Sequence, residues 1–146
     1  MQNPASSKRT LILVFFTIFI DLIGFGIIIP IQPFFAEKLG ASPTVVTMLG
    51  ASFSLMQFLF AHFWGRLSDR IGRKPVMLIS IGTTAVGYAI FGFAHSLEVL
   101  FFARMLAGFG SANIGAAQAI IADSTDEKNR AKGMGLIGAA FGLGFI

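Results

Sequence analysis

The stretch Gly65-Arg66-Leu67-Ser68-Asp69-Arg70-Ile71-Gly72-Arg73-Lys74 decides the fold, because it sets a charged segment between two long apolar runs. Four cations and one acid within ten residues cannot lie in hydrocarbon, whereas the flanking runs 45–63 and 76–94 can. The pattern therefore predicts a short loop that joins two membrane-spanning helices. We expect Gly65 to let the end of the first helix approach a neighbour, and Gly72 to adopt a backbone conformation that would strain other residues.

The composition also indicates a membrane protein. Hydrophobic residues make up 55% of the 146 residues and charged residues only 12%, which is too apolar for a soluble globular domain. The net charge of +4 does not indicate a nucleic-acid partner, because the cations collect in short segments between apolar runs. The chain contains no cysteine, which excludes disulfides and thiolate metal sites.

The apolar runs predict an all-α membrane protein, since about 20 residues of helix cross about 30 Å of hydrocarbon. Four runs are long enough, and a fifth begins near Ala131 and reaches Ile146 without a polar flank, which we interpret as a truncated span. The predicted spans are 10–31, 44–67, 75–94, 97–122 and 131–146, all within one bundle over 1–146.

The cations predict the orientation of this bundle. With a cytoplasmic N-terminus, nine of them lie on the cytoplasmic side and Lys38 alone outside, as the positive-inside rule requires. The nine are Lys8, Arg9, Arg66, Arg70, Arg73, Lys74, Lys128, Arg130 and Lys132. The outer loops are then 32–43, bounded by Pro30, Pro33 and Pro43, and the short segment 95–98. We expect a multi-pass protein of the cell (inner) membrane, with the lipid bilayer as its partner.

Asp21 and Arg104 are charged residues deep within predicted spans. Asp21 lies about 16 Å into the first span and Arg104 about 10 Å into the fourth, which runs in the opposite direction, so their depths differ by about 4 Å. A charge at this depth costs about 3 kcal/mol or more unless it faces a cavity or a partner. We hypothesise that the two side chains pair and that Asp21 changes protonation with access to the cavity. The alternatives are a tolerated, protonated Asp21 and an Arg104 that extends to the headgroups.

Small and polar residues mark the interior of the second and fourth spans. Gly108 belongs to a face of small residues on which a neighbouring helix or a substrate can lie close. Gln57 and Asn113 are candidates to line a substrate cavity, and hydrogen bonding between helices is the equal alternative. No residue pattern indicates a catalytic nucleophile, a metal site or a cofactor.

The spacing G-x-x-x-D-R-x-G-R-K from Gly65 to Lys74 resembles the loop signature of the major facilitator superfamily, between its second and third spans. The pattern R-x-x-x-G-x-G from Arg104 resembles the fourth-span motif of the drug and proton antiporters in that superfamily. The resemblance extends from Asp21 to Gly144. It implies the N-terminal part of a twelve-span transporter whose C-terminal bundle is absent from this chain.

The resemblance implies proton-coupled export of drugs or small amphipathic molecules by alternating access, with substrate near the midplane among spans one, two and four. It also implies a gating loop on the inner side. The residues of this loop are Gly65, Asp69, Arg70, Gly72, Arg73 and Lys74, although the cations would be equally explained by topology alone. We interpret Asp123 and the charges after it as a solvated run.

One position departs from the resemblance, because tetracycline pumps carry an acid directly before a span-three tyrosine and this chain has Gly87 before Tyr88. This departure argues against tetracycline as the substrate. Two other interpretations stay open: an importer or facilitator of the same fold for sugars or metabolites, and a non-transporting membrane sensor or anchor. An enzyme is not expected.

Overall fold

The computed structural model describes residues 4–112, 114–125 and 127–144, and all regular structure in these ranges is α-helical. The helices are α1 (Pro4–Lys38), α2 (Pro43–Ile71), α3 (Arg73–Gly92), α4 (Leu97–Gly110), α5 (Ile114–Ser124) and α6 (Glu127–Gly144). Three helical stretches are long and apolar enough to cross a membrane: Val14–Lys38, Pro43–Ile71 and Arg73–Gly92. The predicted all-α membrane fold is confirmed.

The first helix is longer than the sequence suggested. The segment 32–43 was expected to be an outer loop, but α1 continues through Pro30 and Pro33 as far as Lys38. Each proline removes only one backbone donor, and neighbouring helices make such losses tolerable in membrane helices. Ala36, which is fully buried within the bundle, holds this extension against the rest of the protein.

The turns between the first helices have ordinary local causes. Gly40, with φ of +84°, follows α1, and the Ser42 hydroxyl then accepts a hydrogen bond from the Val45 N–H at 3.4 Å to begin α2. Gly72 separates α2 from α3 with φ of +95°, a region that glycine adopts without the steric cost of a side chain. This is the conformation predicted for Gly72, and it makes the turn between the two helices very short.

Helix α4 lies at the centre of the bundle, because α3 and α2 both pack extensively on it while α1 packs on α5 and α6. Close packing is possible because glycines lie at the contacts between helices. A Cβ atom on Gly87 of α3 would lie 2.8 Å from the backbone nitrogen of Ala107, and one on Gly108 would collide with the backbone of Phe53 in α2. The sequence predicted either a neighbouring helix or a substrate against the face at Gly108, and the structure shows helix α2 there.

The outward surface of the bundle is apolar, as expected for a protein in lipid. Phe58 and Phe93 are both 79% exposed, and Leu78 is 72% exposed. Large exposed apolar areas are rare on soluble monomers. In a bilayer the same side chains face hydrocarbon, so the exposed surface and the three membrane-length helices support the same interpretation.

Replacing Gly108 with Ala is expected to lower the thermal stability of the detergent-solubilised protein, because the new methyl group meets the Phe53 backbone, which cannot move without shifting α2. Overpacking of this kind costs about 1–3 kcal/mol. The matched control is Gly82→Ala in α3, where nothing lies within 4 Å of the added Cβ and helix propensity favours alanine. Equal thermal shifts in the two variants would contradict the close approach of α2 and α4.

Candidate functional site

The predicted fourth span contains a break. Its residues 97–122 form two helices, because α4 ends at Gly110 and α5 begins at Ile114. Three side chains of α2 and α3 donate hydrogen bonds to successive carbonyls at this break: Trp64 Nε1 to Phe109 O at 2.5 Å, Ser80 Oγ to Gly110 O at 2.7 Å and Gln57 Nε2 to Ser111 O at 3.1 Å. Buried backbone groups without partners are costly, so these three donors allow the chain to break between α4 and α5 inside the bundle.

Asp21 of α1 faces this break. Its carboxylate interacts with the side chain of Ser111, which is 4% exposed and lies directly after α4. The Ser111 hydroxyl also lies 3.4 Å from Thr84 Oγ1 of α3. The carboxylate is therefore held in a small polar cluster formed by three helical segments, which can stabilise either its charged or its protonated form.

Tyr88 of α3 lies near both charged groups of the site. It is close enough to interact electrostatically with both Asp21 and Arg104. Its hydroxyl is buried and, like the Asp21 carboxylate, interacts with the Ser111 side chain. Its ring also packs against Gly24, where an added Cβ would lie 2.5 Å from Tyr88 Cε2.

Arg104 does not form the predicted ion pair with Asp21. Its guanidinium carbon lies 4.4 Å from the ring centroid of Phe53 and 6.0 Å from that of Phe25. These rings hold the cation by cation–π contact, while Asp21 turns to Ser111 instead. Arg104 is only 3% exposed, so it does not extend to the membrane surface either.

The charged stretch 65–74, which was expected to be a loop, is helical on both sides of Gly72, and one of its residues forms an ion pair. Arg73 Nε lies 2.7 Å from Asp123 Oδ2, which links the start of α3 to the end of α5. The Asp123 side chain is 58% exposed, as expected for part of a solvated run, and the contact adds a partner that the sequence did not indicate. Asp69, Arg70 and Lys74 are exposed and have no ion pair within the described part of the chain.

The remaining predicted residues have structural environments of their own. Gln57 donates its hydrogen bond between helices, which is one of its two predicted roles. The close approach expected at Gly65 is not found, since nothing described lies within 4 Å of a Cβ built there. Asn113 lies outside the described residues.

Sequence inspection missed Ser111, Trp64 and Ser80 as parts of the site. A signal for Ser111 exists, because adjacent glycine and serine in an apolar run is a common cause of a sharp helix kink. Gly110-Ser111 is such a pair. Trp64 and Ser80 carry no comparable signal, because their role depends on where the break meets α2 and α3.

Replacing Ser80 with Ala is expected to destabilise the break, because Gly110 O loses its side-chain donor. Ser80 is 0% exposed, so solvent cannot replace that donor. Hydrogen bonds between membrane helices contribute about 1 kcal/mol. Hydrogen exchange should therefore increase around 108–116, with a lower melting temperature. The control is Ser54→Ala, since Ser54 is exposed on α2, and unchanged exchange in both variants would contradict the capping role.

Removing the Arg73–Asp123 pair by Arg73→Gln is expected to lower stability by less than about 1 kcal/mol, because both side chains are partly exposed to solvent and salt. The reversed pair, Arg73→Asp with Asp123→Arg, should recover part of the loss. A double-mutant cycle at low and high salt measures this coupling. Arg70→Gln is the control, and a cycle with no coupling at low salt would contradict a stabilising role for the pair.

Comparison with known proteins identifies the family. Residues 14–146 match the Major Facilitator Superfamily. Tetracycline resistance protein, class B, of Escherichia coli is 37% identical over 130 residues, which cover 87% of this chain and 32% of that protein. Multidrug resistance protein 2 of Bacillus subtilis (strain 168) is 32% identical over 148 residues, which cover 100% of this chain and 37% of that protein. The chain spans about a third of the length of these curated relatives, and it belongs to the Major Facilitator Superfamily.

Proposed function

We propose that this chain is part of a proton-coupled transporter that exports drugs or small amphipathic molecules by alternating access. The observation that carries the proposal is the Asp21 carboxylate, which faces a side-chain-capped break in a membrane helix. The names of the relatives, which refer to tetracycline and multidrug resistance, support the same class of activity. The remaining transporter half, the substrate and the proton are the proposed partners.

Asp21 carries the coupling in this proposal. A carboxylate in a low-dielectric site binds a proton when water is excluded, because the neutral form is cheaper to bury. It releases the proton when the cavity opens to water. The Ser111 side chain beside it can accept a hydrogen bond from the protonated acid or donate one to the carboxylate, so both forms have a partner.

The Arg73–Asp123 pair provides the proposed gate at the end of the bundle where α2 turns into α3. The pair ties α3 to α5, and its partly exposed position makes it weak enough to break during each cycle. In the proposed orientation this end and the N-terminus are cytoplasmic, in the cell (inner) membrane. Breaking the pair would then accompany opening toward the cytoplasm.

Gly87 is the residue that argues against tetracycline as the proposed substrate. An acid at this position is implied for tetracycline pumps by the sequence resemblance, but here a Cβ would lie 2.8 Å from the Ala107 nitrogen and 3.1 Å from the Ala103 oxygen. An acidic side chain does not fit between α3 and α4 at that distance. We therefore propose export of amphipathic compounds other than tetracycline.

Asp21→Asn in the full-length protein is expected to reduce transport driven by a pH gradient about tenfold or more, because the amide cannot exchange a proton. Substrate counterflow, which needs no net proton movement, should persist. Proteoliposomes with an imposed pH gradient and a fluorescent amphipathic substrate provide the measurement. Asp21→Glu should keep part of the coupled activity.

The control for this experiment is Glu37→Gln, which removes an exposed carboxylate from the same helix. Coupled transport in Asp21→Asn equal to that in Glu37→Gln would contradict proton exchange at Asp21. Substrate uptake against the proposed direction would favour an importer. Loss of transport from every form of the full-length protein would favour a sensor or anchor.

A further inference from the structure

A cavity of about 280 Å³ opens between α1, α2 and α4 beside the guanidinium of Arg104. Its walls include Phe25 and Gln32 from α1 and Gly50, Phe53 and Ser54 from α2. Asp21 does not line it. The cavity is therefore separate from the cluster of Asp21 and Ser111 described above.

The cavity carries an uncompensated positive charge. Arg104 is 3% exposed, and its Nε and Nη1 atoms are buried without hydrogen-bond partners among the described residues. No described carboxylate lies within 4 Å of this guanidinium. Burying a cation without an anion or hydrogen-bond acceptors is unfavourable, so the site lacks a partner that would complete it.

The neighbouring side chains hold the guanidinium but do not neutralise it. Phe53 and Phe25 stack on each other with centroids 5.0 Å apart and present their rings to Arg104. Such rings attract the cation, but its N–H donors still need acceptors. The Gln32 side chain is a neutral amide whose nitrogen donates to Val46 O at 3.3 Å, so it does not balance the charge of Arg104.

We propose that this cavity binds the carboxylate of a small, aromatic or otherwise apolar monocarboxylate, with Arg104 as the counter-ion. A single negative charge matches a single guanidinium, and the phenylalanine walls match an apolar body. The volume lies just below the range of about 300–1,000 Å³ typical of ligand pockets, so the ligand is about the size of benzoate. This inference rests on the proposed function, because it names a substrate class for that transporter.

Equilibrium binding of radiolabelled benzoate to the full-length protein in phosphatidylcholine nanodiscs tests the proposal. Benzoate should bind, whereas benzamide, which has the same ring without the charge, should not compete. Arg104→Gln should weaken binding about tenfold or more, because a charge-assisted hydrogen bond is lost. Arg130→Gln, which removes an exposed arginine from α6, should leave binding unchanged.

A second variant keeps the test decisive if Arg104→Gln fails to fold. Gly50→Leu should block the cavity while leaving Arg104 in place, since a Cβ at this position meets only Gln32 Nε2 at 3.9 Å. Loss of benzoate binding in a folded Gly50→Leu protein would support the site. Equal binding in Gly50→Leu and the parent protein, or equal competition by benzamide, would overturn it.

Two further outcomes distinguish the occupant and the function. Displacement of benzoate by phosphatidylglycerol in mixed nanodiscs would overturn a substrate site in favour of a lipid headgroup site. No benzoate binding in a protein that performs proton-driven export would overturn the carboxylate site and leave the proposed function intact. Benzoate binding in a protein that transports nothing would support the site and overturn the proposed function.

Discussion

The hydrogen bonds at the end of α4 are the constraint on which the rest of the structure depends. In the interior of a bundle a helix can stop only where other groups satisfy its last carbonyls. Here Trp64, Ser80 and Gln57 do so for three consecutive residues. Because these donors come from two different helices, the break also fixes how α2 and α3 sit against α4, and small residues such as Gly108 allow the required closeness.

At the break, backbone carbonyls become available to neighbouring helices, whereas in a continuous helix they would be bonded within the helix. Ser111 follows the last turn of α4, and its side chain interacts with Asp21 while its carbonyl accepts from Gln57. A carboxylate deep in the bundle thus has a partner without needing a cation. The same geometry explains why the fold and the candidate site cannot be separated: the residues that cap the helix also build the surroundings of the acid.

Much of this architecture follows from the sequence, because alternation of apolar runs and charged segments is enforced by the bilayer itself. The loop at Gly72 and the family resemblance follow from local spacing in the same way. The extension of α1 past Pro33 and the partner of Arg73 do not. Both depend on contacts between distant segments. The predicted pairing of Asp21 with Arg104 rested on opposite charge alone, whereas in the structure Ser111 lies beside Asp21 and Phe53 lies beside Arg104.

The separation of Asp21 from Arg104 has a physical consequence for the proposed cycle. A direct ion pair in a low-dielectric interior would hold the carboxylate charged and oppose its protonation. It would also occupy the guanidinium. Because Ser111 lies beside Asp21 and Phe53 beside Arg104, each charge keeps its own environment: Asp21 remains available to a proton, and Arg104 remains available to an anion. In an exporter the proton and the substrate move in opposite directions, so each half of the proposed cycle uses one of these groups. A proton removes the charge of Asp21, and an anion beside Arg104 compensates the charge of the guanidinium, so either ligand lowers the electrostatic cost of closing the bundle.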